Sequence, residues 1–195
     1  LRARMIYDMR DPIALCYKFP PVIRWLVYAV DWTVVGLSSA LVIPTEWMLG
    51  YLGRWGSRKR VAVIHNTCHD VPAAEGDHLR GSEPGSADRG VVRIVFCGYL
   101  VHNRGAQMLI ETCRQEAGAI ELPVAGDCRC DQLRADLASA PGARLLGRVP
   151  HHEAIEMLRS ADLASRRSDP AWSVNRLAAP NQFYEAMMLG GTVHI

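Results

Sequence analysis

Short apolar runs alternate with longer segments of helical periodicity along the chain. The runs predict strands, and segments in which apolar residues recur every three or four positions predict helices. We expect strands at residues 5–9, 41–43, 61–64, 92–97, 121–126 and 143–147, with helices at residues 20–37, 45–53, 104–116, 131–139, 151–161 and from Pro180 onward. Because strands alternate with helices, the sequence predicts an α/β fold with parallel sheets.

Residues 67–90 interrupt this alternation and are rich in Gly, Pro, Ser, Asp and Glu, which predicts a linker. We therefore divide the chain into residues 1–70, a linker at 71–90 and residues 91–195. Leu1 is not a methionine, and Ile195 lies inside an apparent strand. We expect the sequence to be a fragment that is truncated at both ends.

Residues 22–43 are apolar enough to require a membrane test, since a bilayer-spanning helix needs about 20 apolar residues. Asp31 lies near the middle, and a central acid costs about 2.5–3.5 kcal/mol on insertion. We therefore interpret the stretch as a buried helix followed by a buried strand. A peripheral membrane contact through Trp25, Tyr28 and Trp32 stays open as an alternative.

Composition narrows the class of function. A formal net charge of +2 gives no argument for a nucleic-acid partner. Cys128 and Cys130 form a C-x-C without a second pair, so we expect free thiols in a cytoplasmic protein and no zinc site. His151 and His152 are adjacent and therefore do not share a helix face, and no third ligand follows at the right spacing, so we expect no metal there either.

The last part of the chain predicts an anion site. It is a polar loop, a helix that begins at Pro180, a stop at Gly190 and Gly191, and the start of a strand. The free N–H groups and the dipole of a helix N-terminus favour an anion. Glu185, inside the first turns, can accept hydrogen bonds from a ribose diol.

Residues 179–190 (Ala-Pro-Asn-Gln-Phe-Tyr-Glu-Ala-Met-Met-Leu-Gly) resemble the nucleotide-sugar signature of glycosyltransferase family 4. The resemblance extends over residues 94–110 and 145–162, and in the first half over residues 7–11, 39–46 and 63–66. It implies two Rossmann-like domains with parallel sheets, the GT-B type. The fragment would cover the end of the N-terminal acceptor-side domain and most of the C-terminal nucleotide-sugar-binding domain.

The resemblance also implies a set of site residues. In the family, the Glu that matches Glu185 holds the nucleotide ribose. Gly98 lets the backbone approach a ligand, and Arg104 offers several donors to a diphosphate. The expected donor-binding residues are Gly98, Arg104, Arg148, Asp169, Arg176, Asn181 and Glu185. The sequence names no catalytic residue.

The implied activity is that of a hexosyltransferase-like enzyme. It would move a sugar from a nucleotide-sugar donor to an acceptor hydroxyl with retention, without a metal or cofactor. The acceptor would be a glycan or a lipid-linked molecule, in polysaccharide or glycolipid synthesis in the cytoplasm or at the inner face of the membrane.

Two departures from the family pattern bear directly on donor binding. Leu177 stands where the family motif has the first of two Glu residues, and Gln182 replaces a Lys of a related branch, which would lower phosphate affinity. Two alternatives therefore stay open: a catalytically degenerate homologue that acts as a binding or scaffold protein, and a nucleotide-sugar epimerase of the same architecture. A dehydrogenase is not expected, because no G-x-G-x-x-G follows a strand.

Overall fold

A computed structural model describes residues 4–56, 58–67, 90–165, 175 and 180–194. The chain divides into two compact units, of which the first holds residues 4–66 and the second holds residues 90–165 with 180–194. Each unit is a parallel sheet with helices, which confirms the α/β prediction. The predicted linker at 71–90 lies outside the described residues apart from Gly90, so its boundaries stay a prediction.

The first unit contains a parallel sheet in the order β1-β2-β3. Its elements are β1 (Ile6–Asp8), α1 (Ile13–Cys16), α2 (Pro21–Leu37), β2 (Ala40–Ile43), α3 (Met48–Gly56) and β3 (Arg60–Val63). The core is a small cluster of apolar side chains from both strands and helices: Met9, Val35, Leu41, Ile43, Met48 and Leu52.

Helix α2 has the predicted length but not the predicted environment. Asp31 and Val35 are the buried residues among its 17. The prediction of a buried helix was wrong, because an apolar sequence does not by itself supply a second layer of structure to cover the outer face. Only the side of the helix that carries Asp31 and Val35 packs into the unit.

Helix α3 begins later than the sequence suggests. We expected Thr45 to cap a helix that continues through Gly53, whereas the helix begins at Met48. Gly53 lies inside its span with a φ of 53°, a left-handed conformation that kinks the helix. The sequence therefore indicated the helix, but not the turn that lies between Thr45 and the first helical residue, Met48.

The second unit contains a five-stranded parallel sheet in the order β6-β5-β4-β7-β8. Its strands are β4 (Val92–Cys97), β5 (Ile120–Ala125), β6 (Ala143–Gly147), β7 (Leu163–Ser165) and β8 (Val193–His194). Its helices are α4 (Ala106–Gln115), α5 (Asp131–Ser139), α6 (His151–Arg159) and α7 (Asn181–Met188). Every strand pair in it is parallel.

Helices cover both faces of this second sheet. On one face, residues of α4 and α5 such as Ile110 and Leu133 pack against Phe96 of β4. On the other face, Leu158 of α6 and Ala186 of α7 join a separate cluster with Val95 and Ala164. Because successive β4 residues point to opposite faces, one strand supports both layers. The sheet is therefore doubly wound.

In the part of the chain that the structure describes, no helix combines the length and the apolar character needed to cross a bilayer.

Candidate functional site

The order in which the chain adds strands to the second sheet reverses at β4. The chain places β5 and β6 on one side of this strand and, after α6, places β7 and β8 on the other. The loops that follow β4 and β7 therefore diverge. In open parallel sheets such a divergence forms a ligand-binding crevice outside the carboxyl ends of the strands. Gly98 directly follows β4 at this point.

Two glycines bring the backbone close together at this edge. Gly98 has a φ of 130°, and a Cβ added to it would meet nothing within 4 Å, so its surroundings are open. Gly126 follows β5, and a Cβ there would lie 1.8 Å from the carbonyl oxygen of Gly98. Gly126 is therefore needed for packing. The Gly98 N–H donates to the Ala125 carbonyl oxygen at 2.7 Å, so Gly98 opens this edge through its missing side chain and not through a free N–H.

Gln182 fixes the start of α7 against the end of β4. Its side chain is only 6% exposed. Its amide nitrogen donates to the carbonyl oxygen of Cys97, and its amide oxygen accepts from the Cys97 N–H at 3.0 Å. The sequence suggested that Gln182 is an uncharged replacement for a phosphate-binding Lys. The structure instead gives this side chain a positioning contact with the backbone.

Helix α7 begins without a side-chain cap. Pro180 is its N-cap residue, with a φ of −69° and a ψ of 130°, so the helix begins at Asn181, one residue later than predicted. The first N–H groups of a helix have no intrahelical partner, and Pro180, as the N-cap residue, has no side-chain acceptor to offer them. Asn181 is exposed at this end. Its N–H groups and dipole favour an anion.

Glu185 and His151 connect the beginnings of two helices. Nε2 of His151, the first residue of α6, lies 2.9 Å from Oε1 of Glu185, one turn into α7. The Glu185 side chain is 15% exposed and that of His151 is 57% exposed. The carboxylate is therefore sheltered by protein but held by a partner that solvent and ligands can reach.

The Cys97 thiol shows how close Glu185 lies to the end of β4. Burial, followed by the negative charge of Glu185, raises the pKa of Cys97 to about 12. The thiol therefore stays protonated at neutral pH and is a poor nucleophile. Because Cys97 directly precedes Gly98, the open glycine, the start of α7 and Glu185 share one edge of the sheet.

Arg148 pairs with an acid from the neighbouring loop. Its Nε and Nη2 atoms lie 2.9 Å and 2.5 Å from Oδ2 of Asp127, and its side chain is 78% exposed. Hydrogen bonding to Arg148 lowers the pKa of Asp127, which keeps the carboxylate ionised. The pair connects the loops after β5 and β6, and the charge of Arg148 is balanced locally.

The remaining predicted residues are placed less completely. Arg104 ends a 3-10 turn, His102–Arg104, in the loop after β4, and its side chain is half-buried. Helix α4 begins at Ala106, two residues later than predicted. Asp169 and Arg176 lie outside the described residues. Gly98, Asn181 and Glu185 thus come together at one edge, and their role in donor binding stays a prediction.

Two residues of this edge were missed by the sequence reasoning. His151 was examined only as half of a metal-binding pair, and nothing in one sequence reveals that it meets Glu185, 34 positions further along. Gly126 could have been found from the sequence, because it directly follows a predicted strand, as Gly98 does. Within the described residues, no group of three or more metal-ligating side chains lies close enough to hold an ion.

The fold was compared with those of known proteins. No protein-family model and no curated protein matches the sequence. A structure of HepE from Anabaena in complex with UDP-glucose superposes with a TM-score of 0.66 at 16% identity, covering 98% of this chain and 53% of that one. The chain shares the fold of GT-B glycosyltransferases.

Two further solved structures show the same similarity. Sucrose-phosphate synthase from Thermosynechococcus elongatus has a TM-score of 0.63 at 13% identity, covering 96% of this chain and 49% of that one. A trehalose-phosphate synthase (UDP-forming) from Burkholderia vietnamiensis has a TM-score of 0.58 at 12% identity, covering 97% and 50%. The chain spans about half the length of the structures it matches.

Proposed function

We propose that the chain is part of a glycosyltransferase that moves a sugar from a nucleotide-sugar donor to an acceptor hydroxyl. The observation that carries this proposal is the contact between His151 and Glu185 beside the open glycine loop and the uncapped start of α7. A diphosphate needs N–H donors, and a ribose needs a hydrogen-bond acceptor. This edge of the sheet offers both within a fold that UDP-sugar-bound glycosyltransferases share.

Each group has a role in this proposal. The Glu185 carboxylate accepts hydrogen bonds from the ribose hydroxyls, and His151 holds the carboxylate in place. The diphosphate lies against the N-terminus of α7 and the backbone at Gly98, with Arg104 as the nearby cation. The Arg148 loop lies beside the base. Asp169 and Arg176, which lie outside the described residues, stay expected donor contacts from the sequence alone.

Catalysis in this proposal depends on positioning and on stabilisation of the leaving group. The N-terminal end of α7 and the guanidinium of Arg104 stabilise the negative charge that develops on the departing diphosphate. Holding donor and acceptor together lowers the entropic part of the barrier. We further propose retention at the anomeric carbon, a metal-free reaction, membership of glycosyltransferase family 4, and a glycan or lipid-linked acceptor in polysaccharide or glycolipid synthesis.

The first nucleotide to test is UDP. The HepE structure holds UDP-glucose, and a similar structure from E. coli is described as bound with UDP-2-fluoro glucose. Calorimetric titration of the protein with UDP, GDP and ADP would measure the preference directly. We expect micromolar binding of UDP and a loss of at least about tenfold in affinity for Glu185→Ala, since one charge-assisted hydrogen bond contributes about 1.5–3 kcal/mol.

The outcomes separate the alternatives. If no nucleotide binds to the folded protein, the donor site is absent, and a scaffold role replaces the enzymatic one. If UDP binds, incubation with UDP-glucose and an acceptor separates transfer from epimerisation. A transferase forms a glycosylated acceptor, whereas an epimerase changes the sugar and requires none.

A further inference from the structure

A thiol and an imidazole ring meet between two loops of the second unit. Sγ of Cys130 lies 3.4 Å from Nε2 of His102. Cys130 is half-buried and comes from the loop after β5, whereas His102 is exposed and begins the 3-10 turn in the loop after β4. A ring nitrogen at this distance can accept the thiol proton, and the thiolate that remains is the nucleophilic form of cysteine.

The place of Cys130 in the fold also favours a negative charge on its sulfur. Cys130 is the N-cap residue of α5, a helix of nine residues, and its side chain makes no capping hydrogen bond. The partial positive charge of a helix N-terminus stabilises a thiolate. Arg129 precedes the thiol, and the acid that follows it, Asp131, pairs with Arg134 at 3.4 Å, so a neighbouring cation partly balances its charge.

An acid lies near the same imidazole ring. Hydrogen bonds from Gln132 and Arg114, followed by the charges of Arg114 and His102, lower the pKa of Asp136. The interaction with His102 is reciprocal, because a nearby carboxylate stabilises the imidazolium ion that forms when the ring takes a proton. Helix α5 therefore brings its N-terminus to the thiol and a carboxylate toward the imidazole.

The other cysteines that the structure describes lack this arrangement. Burial raises the pKa of Cys16, Cys97 and Cys113, which keeps these thiols protonated. Cys128, two residues before Cys130, is 6% exposed, and its Sγ donates to the Cys130 carbonyl oxygen at 3.4 Å. Of the five cysteines in the described residues, Cys130 is the one whose sulfur contacts a histidine.

We propose that Cys130 is a modification site for small electrophiles and peroxides, with His102 as the base that takes the thiol proton. With hydrogen peroxide, the thiolate sulfur bonds to one peroxide oxygen and the O–O bond breaks. The second oxygen leaves as hydroxide, which takes the proton from the imidazolium and forms water. The sulfur loses two electrons and becomes a sulfenic acid, while the peroxide is reduced.

Modification would affect the proposed donor site through the loop after β4. The Leu100 N–H donates to the Asp127 carbonyl oxygen at 2.9 Å, so this loop is paired with the loop after β5 close to the thiol. An added group on Cys130 separates its sulfur from His102 and displaces the turn that ends at Arg104. This consequence rests on the proposed function, whereas the reactivity of the thiol does not.

Alkylation of the intact protein tests the reactivity. Iodoacetamide is the probe, because a thiolate displaces its iodide and keeps a mass tag that peptide mapping assigns to each cysteine. We expect Cys130 to react at least about tenfold faster than Cys16, which is also half-buried. His102→Asn should slow the reaction of Cys130 by about fivefold or more, because the thiol loses its base. His152→Asn, at an exposed histidine of α6, is the control and should react like the wild type.

Equal rates at Cys130 and Cys16, or an unchanged rate in His102→Asn, would overturn the proposal. Circular dichroism confirms that each variant is folded. In a second experiment, hydrogen peroxide is added and dimedone traps the sulfenic acid. Trapping at Cys130 is the expected result, and the absence of a trapped adduct there would contradict oxidation by peroxides.

Calorimetric titration with UDP before and after peroxide treatment tests the link to the donor site. We expect the treated wild-type protein to lose about fivefold or more in affinity, because the loop after β4 is displaced. Cys130→Ser, which keeps a side chain of similar size, should bind equally before and after treatment. Unchanged affinity in protein that is oxidised at Cys130 would refute the link alone. If the untreated protein binds no UDP, the proposed function fails, and the alkylation rates still decide whether the thiol is reactive.

Discussion

Two sheltered carboxylates, one in each unit, have opposite surroundings. Asp31 is 4% exposed and bonds to a tyrosine inside an aromatic cluster. The side chain of Glu185 is 15% exposed and contacts a histidine that is itself 57% exposed, at the carboxyl edge of a parallel sheet. The first acid is covered by its own unit, whereas the second is held by a side chain that is mostly exposed.

This difference separates a structural acid from a binding acid. Burial alone does not distinguish them, since both carboxylates are mostly covered. The accessibility of the partner and the position in the fold do distinguish them. Loss of Asp31 should therefore affect stability, and loss of Glu185 should affect ligand binding.

Asp31→Ala is expected to have the largest effect on stability. The change leaves the half-buried Tyr51 hydroxyl without its acceptor and empties the buried site of Asp31, so the free energy of unfolding should fall by about 2 kcal/mol. Urea denaturation followed by circular dichroism measures it. Asp8→Ala, which removes an exposed acid of the same unit, is the matched control and should change stability by less than about 0.5 kcal/mol. Equal losses in the two variants would contradict a structural role for Asp31.

Glu185→Gln is expected to show the reverse pattern. Affinity for UDP should fall by about tenfold, or 1.4 kcal/mol, because the amide loses the charge that strengthens hydrogen bonds to ribose hydroxyls. The free energy of unfolding should change by less than about 1 kcal/mol, since the partner His151 stays solvated. Glu153→Gln, an exposed acid on α6, serves as the control. A variant that unfolds readily but binds UDP normally would reverse the assignment.

Alkaline pH should lower the stability of the protein through Tyr51, the hydrogen-bond partner of Asp31. Burial, the hydrogen bond to Asp31 and its charge raise the pKa of Tyr51 above the ordinary value of 10.0. Above pH 10 the unfolded chain therefore releases a proton that the folded chain retains, and stability falls as the pH rises. Tyr51→Phe should flatten this decline in urea denaturation at several pH values. Tyr17→Phe, at an exposed ring, should leave the slope unchanged.

His151→Asn is expected to have the smallest effect. The side chain positions Glu185 from an exposed site, so its loss should weaken UDP binding by about two- to fivefold. In the double variant His151→Asn/Glu185→Gln the two effects should be less than additive, because the histidine acts through the carboxylate. Full additivity in calorimetry would show that the two side chains contact the nucleotide independently.

The fold was largely predictable from the sequence. Apolar runs located β2, β4, β5 and β6. The signal is strongest in β4 and β5, because strands that are buried on both faces are apolar over most of their length. The environment of α2 was not predictable, because the sequence of an apolar helix does not show what its outer face contacts. Helices α3 and α4 begin later than predicted. The turns before them depend on backbone conformations that hydrophobic periodicity does not encode.

The candidate site was predictable in part. Gly98 and Glu185 stood out through the glycine turn and the signature that contains residues 179–190, and the structure brings both to one edge. The partner of Glu185 could not be found, since His151 comes from a different strand–helix unit. The contact of Gln182 with Cys97 could not be found either, because a polar side chain at a helix start looks the same whether it faces a ligand or the backbone of a neighbouring strand.

Hydrogen–deuterium exchange with and without saturating UDP tests the central claim most directly, because it reports where the nucleotide binds. We predict protection in the loops that follow β4 and β6 and in the first turns of α6 and α7, with no change in α2. Protection that appears only in residues 4–66, or none at a UDP concentration that calorimetry shows to be saturating, would contradict the assignment of the donor site to the carboxyl edge of the second sheet.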